Sequence, residues 1–324
     1  MTTSGSTPTT APEARLRVAV GVIRRDDGRI LVAERAADRH AGGGLEFPGG
    51  KIEPGESPGN ALAREIREEL DLQVDAAHPL ITVHHAYAAH PVELLVFMVS
   101  AWSGVPTGCE GQGIHWLAPE QLDPAAFPAA NRPILAALQA PPRLRVTPPT
   151  QDPEAIAALA AAARAGDRVQ LRLPGAEPRV WARCVRLLRA GLDAAATARV
   201  LLNTRSDDPL LAATGFGLHL SAERAAALEA RPKGLAGPLA CAVHDARELA
   251  AAERLGADFI VVGSVRASAS HPGAAGIGWL GLAGLLAQTA LPAYAIGGLR
   301  PDDLETARAH GAIGVAGISA FWRE

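Results

Sequence analysis

The chain has 324 residues, 48% hydrophobic and 20% charged, which is enough apolar material for a packed globular protein and long enough for two domains. Its formal net charge of -3 supplies no basic field for polymeric nucleic acid, and no apolar run reaches the length of a membrane span. Cys109, Cys184 and Cys241 stand far apart without metal or disulfide spacing, as expected of a reducing, cytoplasmic compartment.

Met1 to Pro12 is rich in Ser, Thr and Pro and lacks the apolar centre of a secretory signal, so residues 1–14 are expected to form a disordered tail. Residues 16–25 and 29–35 then read as two strands joined at Asp26-Asp27-Gly28, a hairpin turn signal. A Gly/Pro-rich stretch covers 42–59, and 60–70 is a helical run. Two more strands are expected at 82–88 and 92–101, with short helices at 119–122 and 131–139. A first domain over 15–140 follows. Pro141 and Pro142 cannot continue a helix and favour an extended linker at 141–143.

Beyond that point short, wholly apolar runs alternate with Ala/Arg/Leu-rich helical runs. The strands expected are 144–147, 169–173, 200–203, 217–220, 239–243, 259–263, 293–297 and 314–318. Helices are expected at 153–165, 178–190, 245–255, 280–289 and 301–310. Apolar strands alternating with helices mean a parallel sheet covered on both faces. Eight such units over 144–324 suggest a (β/α)8 barrel, with 204–216 the weakest part of the count.

The most informative segment runs from Gly49-Gly50-Lys51-Ile52-Glu53-Pro54-Gly55-Glu56 to Arg64-Glu65-Ile66-Arg67-Glu68-Glu69-Leu70. On a helix Glu65 lies beside Glu68 and Glu69, so three carboxylates gather on one side. Like charges at that spacing repel, and a divalent cation reverses the sign of the interaction. Hard oxygen ligands suit Mg²⁺, with Mn²⁺ an alternative. Taken alone, the helix also fits a solvated charged face with Arg64 paired to Glu68. Ile66 and Leu70 would hold the opposite side in the core.

The full spacing is Gly50, five residues, Glu56, seven residues, Arg64-Glu65, an aliphatic, any residue, Glu68-Glu69. It resembles the Nudix box, with Asp71 where that box usually has the glycine that ends the helix; Asp tolerates the left-handed conformation. The likeness extends to the MutT branch of the family. The carrying pieces are Arg35-Ala36-Ala37-Asp38 and His40, then Leu45-Glu46-Phe47-Pro48-Gly49-Gly50-Lys51, then Glu110-Gly111-Gln112, then Phe127-Pro128-Ala129-Ala130-Asn131-Arg132-Pro133.

This resemblance implies an α/β/α sandwich that hydrolyses 8-oxo-dGTP to the monophosphate and pyrophosphate. By it, Gly49, Glu65, Glu68, Glu69 and Glu110 would bind metal, and Glu65 or Glu110 would take the proton from the attacking water. Arg64 belongs to the same catalytic group. Arg35, His40, Phe47, Lys51 and Asn131 would contact the nucleotide, Asn131 at the base edge and Phe47 in the base pocket. Taken alone, Asn131 also fits a helix cap and Glu110 a surface loop. His84, His85 and His90 have no metal-ligand spacing, and structural or surface roles are expected for them.

Residues 143–324 resemble the thiamine-phosphate-synthase/TenI family of barrels. The pieces are Val169-Gln170-Leu171-Arg172, Leu201-Leu202-Asn203, Gly217-Leu218-His219-Leu220, Ala242-Val243-His244, Gly256-Ala257-Asp258-Phe259, Val262-Gly263-Ser264, Ala295-Ile296-Gly297-Gly298 and Gly317-Ile318-Ser319. The chain as a whole is therefore expected to combine α/β and α+β domains, a Nudix sandwich followed by a TIM barrel. Gly297, Gly298, Ile318 and Ser319 would bind a phosphate of a thiamine-pathway compound. His244, beside Asp245, matches a histidine that TenI-type proteins use for proton transfer in thiazole tautomerisation; taken alone, it fits a helix-cap or supporting role equally well. The synthase's acidic Mg²⁺ ligands fall at Thr204 and Arg224, and its lysines at Pro174 and Ser270-His271, so synthase activity is not expected. A thiazole tautomerase, a phosphate-ligand sensor and a stabilising scaffold all remain open for the barrel, and a thiamine-related pyrophosphate remains an alternative substrate for the first domain.

Overall fold

The computed structural model describes residues 16–35, 44–86, 91–148, 153–204, 214–267 and 276–322. The expected tail, His40, His90 and Ser270-His271 lie outside these residues.

The first unit is built on strand β1 (Leu16–Ile23), which alternates its side chains between two cores. Ala19 and Ile23 face one way, Val20 and Val22 the other. Its neighbours are β4 (Gly49–Lys51), antiparallel, and β6 (Pro91–Ser103), parallel; β5 (Gln73–Ala86) adds on beyond β6 in the order β4-β1-β6-β5. A second sheet has the order β3-β2-β7, with β2 at Ile30–Glu34, β3 at Leu45–Glu46 and β7 at Ile114–Leu117. Helix α1 (Pro58–Leu70) packs Ala61, Leu62, Ile66 and Leu70 against Ala19, Ile23 and Leu31. Helix α2 (Arg132–Gln139) buries Ile134 and Leu135 on the opposite side, with Val20, Val22 and Ile30.

Several elements differ from the sequence reading. Strand β5 starts nine residues early, at Gln73 rather than 82. Its ladder with β6 is interrupted around Val74, Ala76 and Pro79, which is why no clean alternation appears there. Short strands β3 and β4 lie within the Gly-rich stretch expected to be irregular, and β7 was not foreseen. The 119–122 helix is a single 3-10 turn at Pro119–Gln121.

The second unit is a closed barrel of eight parallel strands, β8 (Arg143–Val146), β9 (Arg168–Leu171), β10 (Val200–Leu202), β11 (Gly217–Leu220), β12 (Leu239–Val243), β13 (Phe259–Gly263), β14 (Ala293–Ile296) and β15 (Gly314–Gly317). Each falls within a residue or two of its expected range. Two short helices, Ala194–Thr197 and Ala222–Ala227, had not been expected. Alternate strand residues point outward to the helices, such as Val169, Leu171, Ile260 and Val262, and inward, such as Leu144, Leu201, Phe259 and Tyr294.

The two units meet at the N-terminal ends of the barrel strands. The Tyr294 hydroxyl donates to the Pro141 carbonyl at 2.6 Å, and the Val315 N–H donates to that of Pro142 at 3.0 Å. One apolar cluster runs without a break from Ile134 and Leu135 to Leu144, Phe259, Tyr294 and Ile313. His84 approaches Glu93 at 3.5 Å, and burial lowers the pKa of His85, in keeping with structural roles.

Candidate active site and barrel cavity

The local sequence places the carboxylates by fixing both ends of α1. The Ser57 hydroxyl accepts from the Asn60 N–H at 3.2 Å, and Pro58 follows at the first helical position, where its missing N–H is not needed. Asp71 ends the helix in the left-handed conformation, φ 54 and ψ 35, and its N–H donates to Arg67 O at 3.0 Å. The unusual Asp therefore takes the conformation that glycine normally supplies.

The loop before α1 closes on the acidic face. A Cβ on Gly50 would lie 2.2 Å from the Glu65 carboxyl carbon, and one on Gly49, at φ 142, would strike the Ala19 carbonyl at 2.1 Å. At Gly49 the neighbour is backbone and φ is positive, so only glycine admits the approach, whereas a side chain at Gly50 would displace the Glu65 carboxylate. The Gly49 N–H donates to Glu69 Oε2 at 2.9 Å. Burial pushes the Glu69 carboxyl up to about 7; the Gly49 N–H opposes that shift, while Glu110, Glu46 and Glu65 add to it.

Arg64 ties the neighbouring acids together. It donates to Glu56 through Nε and Nη2, both at 3.0 Å, to Glu65 Oε1 at 2.8 Å, to Glu68 Oε2 at 3.4 Å and to the Lys51 carbonyl at 3.0 Å. The Glu56 contact, then the Glu65 contact, raise its pKa. The 104–113 loop is sewn to the end of α1: Thr107 N–H donates to Leu70 O, and Cys109 N–H and the Gln112 side chain donate to Glu69 O. This brings Glu110 within Coulombic reach of Glu69.

Glu65, Glu69, Glu110 and Gly49 are thus gathered, while Glu68 is 60% exposed at the edge. Among the described residues no three acidic, His or Cys side chains form a ready-made cation cage. The donor set nonetheless fits a divalent cation. The Glu69 carboxylate is buried among like charges, a state that a hard cation would relieve.

Of the nucleotide-contact candidates, Arg35 is ion-paired with Glu46, which the sequence reading had not singled out. Lys51 is exposed, its carbonyl held by Arg64. Phe47 and Phe127 are buried and stack with centroids 5.3 Å apart. Asn131 is only 9% exposed; it stands at the N-cap position of α2, but its side chain makes no cap bond there.

A cavity of about 500 Å³ lies elsewhere, at the C-terminal mouth of the barrel. Gly297, Gly298, Gly317, Ile318 and Ser319 all line it, as does His244 at the end of β12. The expected partner of His244 needs correcting. Asp245 turns away to cap the helix Ala246–Arg254, accepting from Glu248 N–H at 2.9 Å. Glu248 instead meets His244 Nδ1 at 2.7 Å and its backbone N–H at 2.7 Å. The i,i+4 spacing of His244 and Glu248 across a strand end and a helix start is the sequence signal for that pairing. His219, on the cavity floor, was also missed as a site residue. Burial, then the charge of Arg172, depress its pKa to about 4, so it is neutral.

Residues 19–137 match the family described as a NUDIX domain, and residues 144–321 match that described as thiamine monophosphate synthase. An 8-oxo-dGTP diphosphatase of Escherichia coli (strain K12) is 38% identical over 125 residues, which cover 39% of this chain and 97% of the relative. The chain belongs to both families. It is a Nudix hydrolase domain joined to a thiamine monophosphate synthase-like barrel. A CTP pyrophosphohydrolase of Escherichia coli (strain K12) is 33% identical to the Nudix domain over 125 residues, covering 39% of this chain and 92% of the relative. For the barrel, a putative thiamine-phosphate synthase 2 of Aquifex aeolicus (strain VF5) is 32% identical over 127 residues, 38% of this chain and 66% of that protein. Among the described residues no helix is long and apolar enough to cross a membrane.

Proposed function

We propose that the Nudix domain hydrolyses 8-oxo-dGTP to 8-oxo-dGMP and pyrophosphate, clearing an oxidised precursor from the nucleotide pool. The observation that supports this most is the burial of Asn131 with its side chain left unused by α2, in the domain that also stacks Phe47 on Phe127. An amide offers both a donor and an acceptor and so selects one tautomeric base edge, while an aromatic wall stacks on the base. The 8-oxo-dGTP diphosphatase relatives agree with this substrate; the CTP pyrophosphohydrolase keeps a pyrimidine triphosphate as the rival.

The chain's own residues carry the reaction as follows. Glu65, Glu68, Glu69, Glu110 and the Gly49 backbone would hold Mg²⁺ or Mn²⁺, which supplies charge neutralisation for the triphosphate and lowers the pKa of a bound water. Arg64 fixes Glu56, Glu65 and Glu68 in one constellation, so the acidic face is preorganised before substrate arrives. Arg35 leaves Glu46 to meet phosphate oxygens. Glu65 or Glu110 accepts the proton; Glu65 shares one oxygen with Arg64, whereas Glu110 approaches from the 104–113 loop.

The test is pyrophosphate release from 8-oxo-dGTP, dGTP, CTP and thiamine pyrophosphate by the full chain. A kcat/KM for 8-oxo-dGTP at least about tenfold above the others supports the reading. Equal rates on dGTP and its oxidised form end the selectivity claim, and preference for thiamine pyrophosphate replaces it.

A further inference from the structure

The helix that starts after Asn131 is weakly held by its own sequence. Helix α2 has eight residues, too few to persist without tertiary contacts. Asn131 stands at its N-cap position without a side-chain cap bond, and its last turn carries no basic residue to complement the negative end of the helix dipole. Ala140 ends it in extended backbone, without the left-handed residue that commonly closes a helix.

The barrel supplies much of what is missing at the C-terminal end. Within the Nudix domain, the Gln139 side chain donates to the Pro119 and Leu122 carbonyls at 2.7 and 2.8 Å. From the barrel helix Leu304–Ala309, Arg308 brings a guanidinium to the last turn of α2. Its Nη2 donates to the Ala137 carbonyl at 3.5 Å, while its Nε donates to the Ile313 carbonyl at 3.3 Å. A cation at that end is favoured by the dipole. Fully buried Tyr294 donates to the Pro141 carbonyl at 2.6 Å, and the Val315 N–H to that of Pro142 at 3.0 Å. The fit is close: a Cβ on Gly314 would lie 2.4 Å from the Pro142 carbonyl and 2.8 Å from the Tyr294 ring.

The division of the interior decides how far this grip reaches. Phe47, Phe127, Ile134 and Leu135 belong to the apolar cluster that continues into Tyr294 and Ile313. The carboxylate helix α1 packs into a different cluster, with Ala19, Ile23 and Leu31. Slack introduced at the barrel floor therefore passes along α2 toward Asn131 and the aromatic pair, and stops short of Glu65 and Glu69.

We propose that the barrel floor is a positioning platform for base recognition, in which Tyr294 and Arg308 fix α2 and, through it, Asn131. Neither touches the nucleotide; both are positioning residues, and their role rests on the reading of Asn131 as a base-edge contact. Releasing the far end of α2 lets Asn131 move at the base, which weakens binding and selectivity, while the acidic face continues to hydrolyse.

Full-length Tyr294→Phe and Arg308→Leu test this, with Arg308→Lys as the variant that keeps the cation and circular dichroism to verify folding. In the first two, KM for 8-oxo-dGTP should rise about fivefold, kcat should stay within about twofold of wild type, and the preference over dGTP should fall about fivefold; Arg308→Lys should remain within about twofold of wild type throughout. Amide hydrogen exchange should quicken about tenfold or more across α2 and stay unchanged across α1. Exchange needs no nucleotide, so it separates the platform from the substrate: a wild type without preference for 8-oxo-dGTP ends the nucleotide reading alone, and KM is then measured on the substrate it does prefer. Unchanged exchange across α2 in the folded variants overturns the proposal. So does a fall in kcat with KM unmoved, or exchange quickened equally in α1, since either marks general destabilisation.

Discussion

Glu69 concentrates the electrostatic conflict of the Nudix domain on one side chain. Its carboxyl is buried, held by one backbone N–H, and raised to about 7 with three further acids in reach. Glu69→Gln keeps the shape and deletes the charge, so kcat on 8-oxo-dGTP should fall by about 10²-fold or more while the circular dichroism spectrum is unchanged. Near-native turnover would remove Glu69 from the reaction. In EDTA above neutral pH the same variant should melt higher than the wild type, because it no longer buries a repelled charge. Asn131→Ala should cut the preference for 8-oxo-dGTP over dGTP by about tenfold, and steady-state rates on the two nucleotides measure it. In the barrel, His219 gives a pH signature of definite sign. Its folded pKa of about 4 lies below 6.5, so between those values the unfolded chain takes up a proton that the folded barrel refuses. Stability from this group is intact above pH 6.5 and is lost as pH falls through 6.5 to 4, by at most about 3 kcal/mol. His219→Phe should flatten that part of a melting-temperature profile; an unaltered slope would show that the ring is solvated. At this scale the acidic cluster was legible because helical spacing alone places Glu65, Glu68 and Glu69. Glu46 and Glu248 were not, since their partners, Arg35 and His244, are chosen by strand pairing and by the strand-to-helix turn.

Among the elements, α1 is where stability and chemistry share one boundary. Its start is fixed by Ser57 and Pro58 and its end by Asp71 in the left-handed conformation. Asp71→Gly should stabilise the chain by up to about 1 kcal/mol, and Asp71→Val should destabilise it by more, because a β-branched residue resists positive φ. Thermal melts of both variants measure this, and an Asp71→Val protein as stable as Asp71→Gly would contradict the cap geometry. Barrel strands such as 239–243 and 259–263 were readable residue by residue, since burial on both faces demands apolar side chains throughout. Strand β5 was only half readable. Asp75, His78 and Pro79 break its alternation, and its pairing with β6 survives through irregularities that local sequence does not announce. Strands β3 and β4 hold only two and three residues, too few for any period to show.

For the molecule as a whole, the segment expected as an extended linker, 141–143, is held against the barrel. Pro141 and Pro142 each accept a hydrogen bond from the barrel, and one apolar cluster crosses from α2 to Tyr294 and Ile313. Scanning calorimetry of the full chain should therefore record a single cooperative transition, and Ile313→Asp should lower it as a unit. Two separate transitions would mean that the shared core contributes little. The attachment lies at the N-terminal ends of the barrel strands, whereas the cavity opens past their C-terminal ends. The barrel cavity thus looks out on the side remote from the Nudix domain, and each pocket samples its own volume of solvent. A small molecule released at one pocket must therefore pass through bulk water to reach the other.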